Sequence, residues 1–382
     1  MRIILTGGGT LGSVTPLLAL REEIRDRGIP AEFLWIGTAH GPEKELVQKE
    51  GIDFIVIPSG KLRRYADWRN VVAPFLVLAG FAAALVALIR ARPAVIVSAG
   101  SFVSVPVVYA GAFLRIPIVL YQSDKRLGLA NRLAAPLSAR VLLAFAETAM
   151  SLAKDKRAVI GTPVRKKIEL AASDPILREK GRVYFHVPEG MPAVLVLGGS
   201  SGSRALNELV VAALTELTKF AQVIHVVGKW KDALAPRSGV PNVPHPANGT
   251  RDGTEPSERY RACSFLHDEL PLAYAAADIV ISRAGMATIG ELALLGKPAI
   301  FIPIPKSHQE ENAAALAGRG AAIVLSQPLS AEDFVKAVRE LIAHPSRMES
   351  IGSAIRSIFP EDGRARFADV VLSIIKEAPR HS

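Results

Sequence analysis

The stretch Ile3-Ile4-Leu5-Thr6-Gly7-Gly8-Gly9-Thr10-Leu11-Gly12-Ser13 joins an apolar run to a glycine-rich turn. The same design returns near the middle of the chain as Ala193-Val194-Leu195-Val196-Leu197-Gly198-Gly199-Ser200-Ser201-Gly202-Ser203. Each stretch predicts a buried strand, a tight turn and the start of a helix. That geometry directs free backbone N–H groups and the positive end of a helix dipole at one point, where an anion binds. Two such units predict two similar halves that face each other across a cleft.

Composition limits the class of protein. The chain has 382 residues, of which 49% are hydrophobic and 21% charged, and this length favours two globular domains. Its single cysteine excludes a disulfide framework and indicates a reducing compartment, and the eight histidines are scattered without metal-ligand spacing. Because Met1-Arg2 leads directly into a strand-like run, we expect a cytoplasmic protein without a secretory signal. No metal and no cofactor is expected.

Short apolar runs alternate with helical patterns through both halves, which predicts an α/β fold of two doubly wound parallel sheets. The breaker cluster Gly161-Thr162-Pro163 predicts an interdomain linker within Lys154–Pro163. Residues 229–260, rich in proline and glycine, predict a long loop, and the tail from Arg347 to Glu377 has a helical pattern. We therefore expect domains at 1–160 and 161–346, and a segment 347–382 that packs back toward the first domain.

The formal net charge of +10 suits a nucleic acid, an anionic membrane or a phosphorylated substrate. No nucleic-acid-binding signature is present and aromatic residues are few, so we expect no nucleic-acid partner. The segment Val71–Ile89 has no charged residue and is flanked by basic ones. These flanking residues are Lys61, Arg63, Arg64, Arg69, Arg90 and Arg92.

Three interpretations of Val71–Ile89 stand: a sheet-packed helix that also touches a membrane, a plain core helix, and a true membrane span. Its alanine content, Pro74, Gly80 and its place between two predicted strands argue against the span. Surplus apolar surface framed by basic residues favours contact with an anionic membrane interface.

Six motifs in order resemble those of the MurG family of peptidoglycan glycosyltransferases. They are Gly8-Gly9-Thr10-Leu11-Gly12-Ser13-Val14-Thr15-Pro16, Ser101-Phe102-Val103-Ser104-Val105-Pro106, Gly161-Thr162-Pro163-Val164-Arg165, Gly198-Gly199-Ser200-Ser201-Gly202-Ser203, Ser282-Arg283-Ala284-Gly285-Met286-Ala287-Thr288-Ile289-Gly290-Glu291 and His308-Gln309-Glu310-Glu311-Asn312-Ala313. The resemblance implies a GT-B fold, in which two Rossmann-like domains face a cleft. It also implies transfer of N-acetylglucosamine from UDP-N-acetylglucosamine to a polyprenyl-pyrophosphate-linked muramyl peptide, with inversion.

The resemblance implies donor-binding roles for several residues. Arg165 and Ser200 would contact the donor phosphates, because a guanidinium matches phosphate geometry. Glu291, an acid at the front of a predicted helix, would accept from both ribose hydroxyls, and Gln309 would hold the sugar hydroxyls. The other implied donor-binding residues are Thr10, Leu11, Gly12, Asp124, Leu266, Met286, Ala287, Thr288, Ile289 and Gly290. The plain alternatives are an ion pair in the linker for Arg165 and a dipole-favoured helix-terminal acid for Glu291.

The acceptor would lie in the first domain, with its diphosphate on two loops and its lipid tail in the bilayer. The implied acceptor-binding residues are Gly9, Gly12, Gly100, Ser101 and Ser104. The resemblance further implies a peripheral protein on the cytoplasmic face of the cell membrane, with an anionic inner surface and cell-wall synthesis proteins as partners.

The chain departs from the family pattern where the catalytic base is expected. Ser13 stands where the family has its histidine, and Gln122 stands where it has a glutamate. General-base help is worth about 10²–10⁴-fold, and a neutral serine cannot supply it. Asp124 is therefore the preferred base, before His308 and Glu310, although it could also be a helix cap or turn residue.

Three functions remain open from the sequence. The first is the family's own transfer reaction, and the second is a related transfer to another lipid such as a diacylglycerol. The third is a weakly catalytic UDP-sugar-binding scaffold for cell-wall enzymes. A UDP-sugar hydrolase or epimerase of the same fold is a weaker possibility.

Overall fold

The computed structural model describes residues 1–60, 69–199, 202–228 and 259–377. The chain divides into two compact units, Met1–Arg165 with Phe359–Ser382, and Lys166–Ile358. The predicted phosphate ligand Ser200, the basic residues at 61, 63 and 64, and most of the predicted loop 229–260 lie outside the described residues.

The first unit contains a seven-stranded parallel sheet in the order β3-β2-β1-β4-β5-β6-β7. Its strands are β1 (Arg2–Thr6), β2 (Glu32–Gly37), β3 (Asp53–Val56), β4 (Val95–Ser98), β5 (Ile118–Gln122), β6 (Arg140–Leu143) and β7 (Arg157–Val159). The helices between them are α1 (Thr15–Asp26), α2 (Pro42–Lys49), α3 (Arg69–Ala91), α4 (Ser104–Phe113) and α5 (Leu129–Ala134). Continuous apolar runs such as the fully buried Val95–Ser98 are typical of strands covered on both faces.

The second unit repeats this arrangement in a six-stranded parallel sheet of order β10-β9-β8-β11-β12-β13. Its strands are β8 (Ala193–Leu197), β9 (Gln222–Val226), β10 (Tyr260–Cys263), β11 (Ile279–Ser282), β12 (Ala299–Phe301) and β13 (Ile323–Val324). Its helices are α6 (Lys166–Ser173), α7 (Pro175–Tyr184), α8 (Arg204–Leu217), α9 (Leu270–Ala276), α10 (Met286–Leu295), α11 (His308–Ala317), α12 (Ala331–Ile342) and α13 (Pro345–Arg356).

Several sequence expectations change in detail. The predicted linker Lys154–Pro163 contains β7, whose residues pair with β6 at the edge of the first sheet. Strand β10 was not predicted, because its four residues adjoin a segment without apolar periodicity. The helical tail consists of two helices: α13 belongs to the second unit, and the first unit resumes at Phe359.

The last helix, α14 (Gly363–Glu377), completes the core of the first unit. The Phe367 ring lies 5.4 Å from the ring of Tyr121, centroid to centroid. Arg27 pairs with Asp369 across the surface of α1 and α14, and Arg364 pairs with Glu23 at 3.0 Å. The first unit is therefore closed by residues from both ends of the chain.

Helix α3 has two different halves. Its second half buries Ala84, Ala87 and Leu88 in the core of the first unit, beside α4. Its first half leaves large apolar side chains exposed, with Phe75 at 71% and Leu78 at 67%. By length and composition alone, Val71–Ala91 is sufficient to cross a membrane, but only 28% of its most apolar window is buried within the protein.

Strand order places the glycine-rich turns where ligands bind in such folds. In both sheets the strand order reverses beside the first strand, between β1 and β4 and between β8 and β11. Ligands of open parallel sheets bind beyond the carboxyl ends of the strands at this reversal. The turns after β1, β4, β8 and β11 all lie there.

Candidate active site

The first glycine turn is built around a buried carboxylate that sequence reasoning missed. Glu43, on α2, is fully buried, and its Oε2 accepts from the Gly9 amide at 3.1 Å. Its Oε1 accepts from the Thr38 amide at 3.1 Å and from the Thr38 hydroxyl. A Cβ at Gly8 would lie 2.5 Å from the Glu43 carboxylate, which is why this position takes glycine. The Gly9 amide is therefore occupied by the protein's own anion.

Backbone amides that follow Gly9 in the chain remain available as hydrogen-bond donors. Among the described residues, nothing accepts from the backbone N–H groups of Leu11 and Gly12, which precede α1. The Ser13 hydroxyl lies 3.1 Å from the carbonyl oxygens of both Gly8 and Thr10. Ser13 thus acts as a donor inside its own turn, and its role at the catalytic position stays a prediction.

The second loop predicted to bind the acceptor lies beside the first. A Cβ at Gly9 would be 3.3 Å from the Phe102 ring and 3.7 Å from Ser101 Oγ. Ser101 adopts a φ of 87°, in the region that favours glycine, and its buried Oγ has no partner among the described residues. The Ser104 hydroxyl donates to the Ser101 carbonyl at 2.7 Å and fixes the turn. The structure therefore brings together all five predicted acceptor residues on two neighbouring turns.

Asp124 lies in the loop directly after β5, at the carboxyl edge of the first sheet. Its backbone carbonyl accepts from the Gln122 amide at 2.9 Å, and Asn131 donates to Gln122 Oε1 at 2.7 Å. Burial, assisted by the Asp124 charge, raises the pKa of Tyr121. Gln122 therefore shapes this loop through its amide hydrogens, which a glutamate could not provide.

Arg165 is held by two carboxylates of the first unit. Its Nε donates to Glu22 at 2.7 Å and its Nη2 donates to Glu50 at 2.7 Å, while only 9% of the residue is exposed. Burial opposes its charge, but the two carboxylates outweigh it and raise the pKa of Arg165. This is the ion-pair geometry that the sequence left open as the alternative, and contact with donor phosphates stays a prediction.

The turn after β8 is tight around Ser203. A Cβ at Gly198 would lie 2.8 Å from the Ser203 backbone nitrogen, so the position requires glycine. Ser203 caps α8, since its Oγ accepts from the Leu206 amide at 3.4 Å. Arg283, at the end of β11, reaches the same Oγ from Nε at 3.0 Å and from Nη2 at 2.8 Å. A buried guanidinium therefore supports the second glycine turn.

Helix α10 begins at Met286, earlier than the sequence indicated, so Glu291 lies in its second turn and not at its front. Among the described residues, nothing accepts from the amides of Met286, Ala287 and Thr288. The Tyr274 hydroxyl donates to Glu291 Oε2 at 2.6 Å, and burial followed by the Glu291 charge raises the pKa of Tyr274. Tyr274 thereby fixes the orientation of Glu291, the residue predicted to bind the ribose.

Two further residues predicted to bind the sugar donor, Gln309 and Leu266, lie on α11 and in the loop after β10. Gln309, on α11, accepts from the Ile304 amide through its side-chain oxygen at 3.1 Å. This hydrogen bond fixes the orientation of the Gln309 side chain. Asn312, fully buried on the same helix, reaches the Ala284 carbonyl at 3.4 Å and connects α11 to the turn before α10. Leu266 is buried in the loop after β10. Glu310, a lesser base candidate, accepts from the Lys306 amide at 2.9 Å.

A buried polar network lies behind the second glycine turn. His225 Nε2 lies 3.1 Å from Asn207 Oδ1, and His225 Nδ1 lies 3.1 Å from the Tyr260 hydroxyl. Asn207 also donates to the Val227 carbonyl at 2.9 Å, beside Gly202. Burial lowers the pKa of His225 to about 3, so the ring stays neutral. This network joins α8, β9 and β10 where the turn begins.

Comparison with known proteins identifies the family. Models of the glycosyltransferase family 28 N-terminal and C-terminal domains match residues 3–143 and 193–361. A UDP-N-acetylglucosamine–N-acetylmuramyl-(pentapeptide) pyrophosphoryl-undecaprenol N-acetylglucosamine transferase of Bacillus cereus is 36% identical over 345 residues, 89% of this chain and 91% of the relative. The corresponding protein of Clostridium perfringens is 35% identical over 368 residues, with coverages of 94% and 96%. The chain belongs to the MurG family of glycosyltransferases.

Solved structures agree on the fold. MurG of Acinetobacter baumannii superimposes with a TM-score of 0.70 at 23% identity, covering 97% of this chain and 99% of that one. A UDP-GlcNAc 2-epimerase from Neisseria meningitidis bound to UDP-GlcNAc gives a TM-score of 0.67 at 12% identity, with coverages of 98% and 100%. At these identities the likeness establishes the GT-B architecture, which the sequence had predicted.

We predict that Glu43→Gln destabilises the protein. The amide replaces one acceptor oxygen by a donor, so a buried N–H or O–H of Gly9 or Thr38 loses its partner, at about 1–3 kcal/mol. Urea unfolding measures the loss. The matched variant Glu45→Gln changes an exposed carboxylate on the same helix and should stay within about 0.5 kcal/mol of the parent. Equal stability of both variants would contradict this role of Glu43.

We also predict a pH dependence from His225. In the unfolded chain this histidine binds a proton near its ordinary pKa of 6.5, whereas in the folded protein its pKa is about 3. The unfolded state therefore binds more protons between these values, and stability falls as pH drops below about 6.5, by about 1.4 kcal/mol per pH unit. Unfolding of parent and His225→Gln between pH 7 and pH 5 should show the steeper dependence in the parent. The exposed variant His40→Gln should keep the parent's slope.

Proposed function

We propose that this glycosyltransferase moves N-acetylglucosamine from UDP-N-acetylglucosamine to a muramyl-pentapeptide pyrophosphoryl-polyprenol, which forms a lipid-linked disaccharide for peptidoglycan. The curated relatives carry this activity in their names. The observation that carries the proposal is the pair of switch-point sites, one in each unit, each with unpaired helix-terminal amides. Transfer needs one donor site and one acceptor site.

The second unit supports the donor. The unpaired amides of Met286, Ala287 and Thr288 form the N-terminus of α10, where the helix dipole favours a pyrophosphate. Glu291, oriented by Tyr274, would accept from the ribose hydroxyls. Gln309 keeps its amide hydrogens for the sugar, because its oxygen is already used by Ile304. These contacts would distinguish a sugar epimer by leaving a buried polar group unpaired.

The first unit supports the acceptor. The unpaired amides of Leu11 and Gly12 lie beside the two neighbouring turns at Gly9 and Gly100–Ser104. An acceptor pyrophosphate would use the amides that Glu43 leaves free.

In the reaction, the acceptor hydroxyl oxygen attacks the anomeric carbon from the face opposite UDP. The new glycosidic C–O bond forms as the bond to the β-phosphate breaks, and UDP leaves with the electron pair. The hydroxyl proton passes to a base, for which Asp124 is the proposed residue. Helix-terminal amides stabilise the charge that develops on the leaving UDP.

We further propose that the first half of α3 docks on an anionic membrane, because its substrate carries a lipid. Phe75 and Leu78 expose about two thirds of their surface, and the same apolar region continues to Phe113 of α4, whose ring packs edge to face against Phe81 at a centroid distance of 6.3 Å. Peripheral attachment at the cytoplasmic face would leave the acceptor's pyrophosphate within reach of a soluble nucleotide sugar. Other cell-wall synthesis proteins remain proposed partners.

A transfer assay tests the activity. The protein in detergent should move radiolabelled N-acetylglucosamine from its UDP donor to the muramyl-pentapeptide lipid, and Asp124→Asn should lower kcat by about 10²–10⁴-fold. The control Asp155→Asn alters an exposed carboxylate of the same unit and should leave kcat unchanged.

Other outcomes would contradict the proposal in different ways. Product formed only on diacylglycerol would indicate the related lipid transferase. UDP binding without any product would indicate the scaffold. A full rate in Asp124→Asn, together with a gain in Ser13→His, would assign the missing base to position 13.

Vesicle binding tests the membrane surface. Replacing Phe75 and Leu78 by serine should weaken cosedimentation with phosphatidylglycerol vesicles by at least about 10-fold, because each buried apolar side chain contributes about 1.5–3 kcal/mol. The control replaces Ile176 and Val183 of the second unit, which are similarly exposed at 59% and 70%. Equal losses in both double variants would contradict a specific docking face.

A further inference from the structure

Arg283 is a buried cation without an anionic partner. Only 5% of the residue is exposed, and no carboxylate of the described residues pairs with its guanidinium. Its nitrogens donate to neutral groups: the Ser203 hydroxyl, the carbonyls of Ile302 and Pro303, and the Gln327 side-chain oxygen. Burial lowers the pKa of Arg283. Neutral acceptors satisfy its hydrogens but leave the charge itself uncompensated, which is costly in a protein interior.

Arg165 provides the contrast. Its guanidinium is also buried, but two carboxylates at 2.7 Å neutralise it, so it offers little net charge to a ligand. Of these two buried arginines, Arg283 is the one whose charge is left for an anion.

The contact between Arg283 and Ser203 allows the buried charge to act on a ligand through the Ser203 hydroxyl. Ser203 Oγ accepts from two nitrogens of Arg283 and from the Leu206 amide, so its lone pairs are used. A serine hydroxyl has one hydrogen left in that case. The residue is partly exposed, so this hydrogen can be donated to a ligand. Because the oxygen is bonded to a cation, the hydroxyl becomes a stronger donor.

Arg283 also connects both helix starts at the strand reversal. Its side chain reaches the cap of α8, and its backbone carbonyl accepts from the Gly285 amide at 2.8 Å, just before α10. The starts of α8 and α10 are therefore both hydrogen-bonded to the residue that carries this buried charge.

We propose that Arg283 and Ser203 form the charge-bearing part of the donor's pyrophosphate subsite. Ser203 donates its hydroxyl hydrogen to a phosphate oxygen, and the pyrophosphate supplies the negative charge that the buried guanidinium lacks. This rests on the proposed function, since it takes a uridine diphosphate sugar as the donor. Arg283 acts through Ser203 and is a positioning residue.

Calorimetry with UDP and with uridine tests the proposal. Ser203→Asp keeps a good helix cap but places a carboxylate against Arg283 inside the protein. We expect it to lower UDP affinity by about 100-fold, to leave uridine affinity unchanged and to preserve or raise the unfolding temperature. Ser203→Ala should lower UDP affinity by about 10-fold. Arg283→Met should lower UDP affinity as Ser203→Asp does, provided its unfolding curve is cooperative.

The matched control is Arg204→Met, which removes a positive charge from the same helix end. Its side chain is 76% exposed and paired with Glu208, so UDP affinity should change by less than about threefold. Parent-like UDP affinity in Ser203→Asp would overturn this inference while leaving the proposed function intact. Equal losses for uridine and UDP would also overturn it, because they would indicate structural damage. A parent protein that binds no UDP would overturn both.

Discussion

The structure depends on one constraint: a helix start cannot satisfy its own first amides. In each unit two helices begin where the strand order reverses, so unpaired N–H groups collect at the carboxyl edge of the sheet. A side chain at Gly198 would collide with the Ser203 backbone nitrogen, and one at Gly8 would collide with the buried Glu43 carboxylate. Both positions thus require glycine, and the donor-rich edge is a consequence of the strand order.

The buried side chains next to the carboxyl edge of the sheet differ in charge type between the two units. Behind the first glycine turn lies Glu43, a buried carboxylate that already takes the Gly9 amide. Behind the second lies Arg283, a buried cation without a carboxylate among the described residues. An anion is therefore favoured more strongly at the second turn, by the sign of the nearest buried charge. The fold therefore repeats between the two units, whereas the buried side chains behind their glycine turns do not.

The sequence predicted the repeated architecture because buried parallel strands consist of continuous apolar runs, as in Ala193–Leu197. Short edge strands such as β7 and β10 carry too few residues for a period. The predicted glycine turns lie at the strand reversal in each unit, whereas the roles predicted for side chains such as Arg165 and Glu291 stay predictions. What was missed are the supporting side chains: Glu43, Tyr274 and Arg283 act on elements distant in sequence. Glu43 follows the Gly41-Pro42 turn, but nothing in that turn shows which loop its carboxylate meets.

Ser101 is a serine held in a backbone conformation that favours glycine. A serine with φ of 87° costs about 1–2 kcal/mol relative to glycine, and its buried hydroxyl has no partner among the described residues. Such strain persists only where the surroundings determine the backbone, and here the Ser104 hydroxyl holds the Ser101 carbonyl. The loop therefore keeps the conformation that glycine would adopt, while adding a hydroxyl beside Gly9.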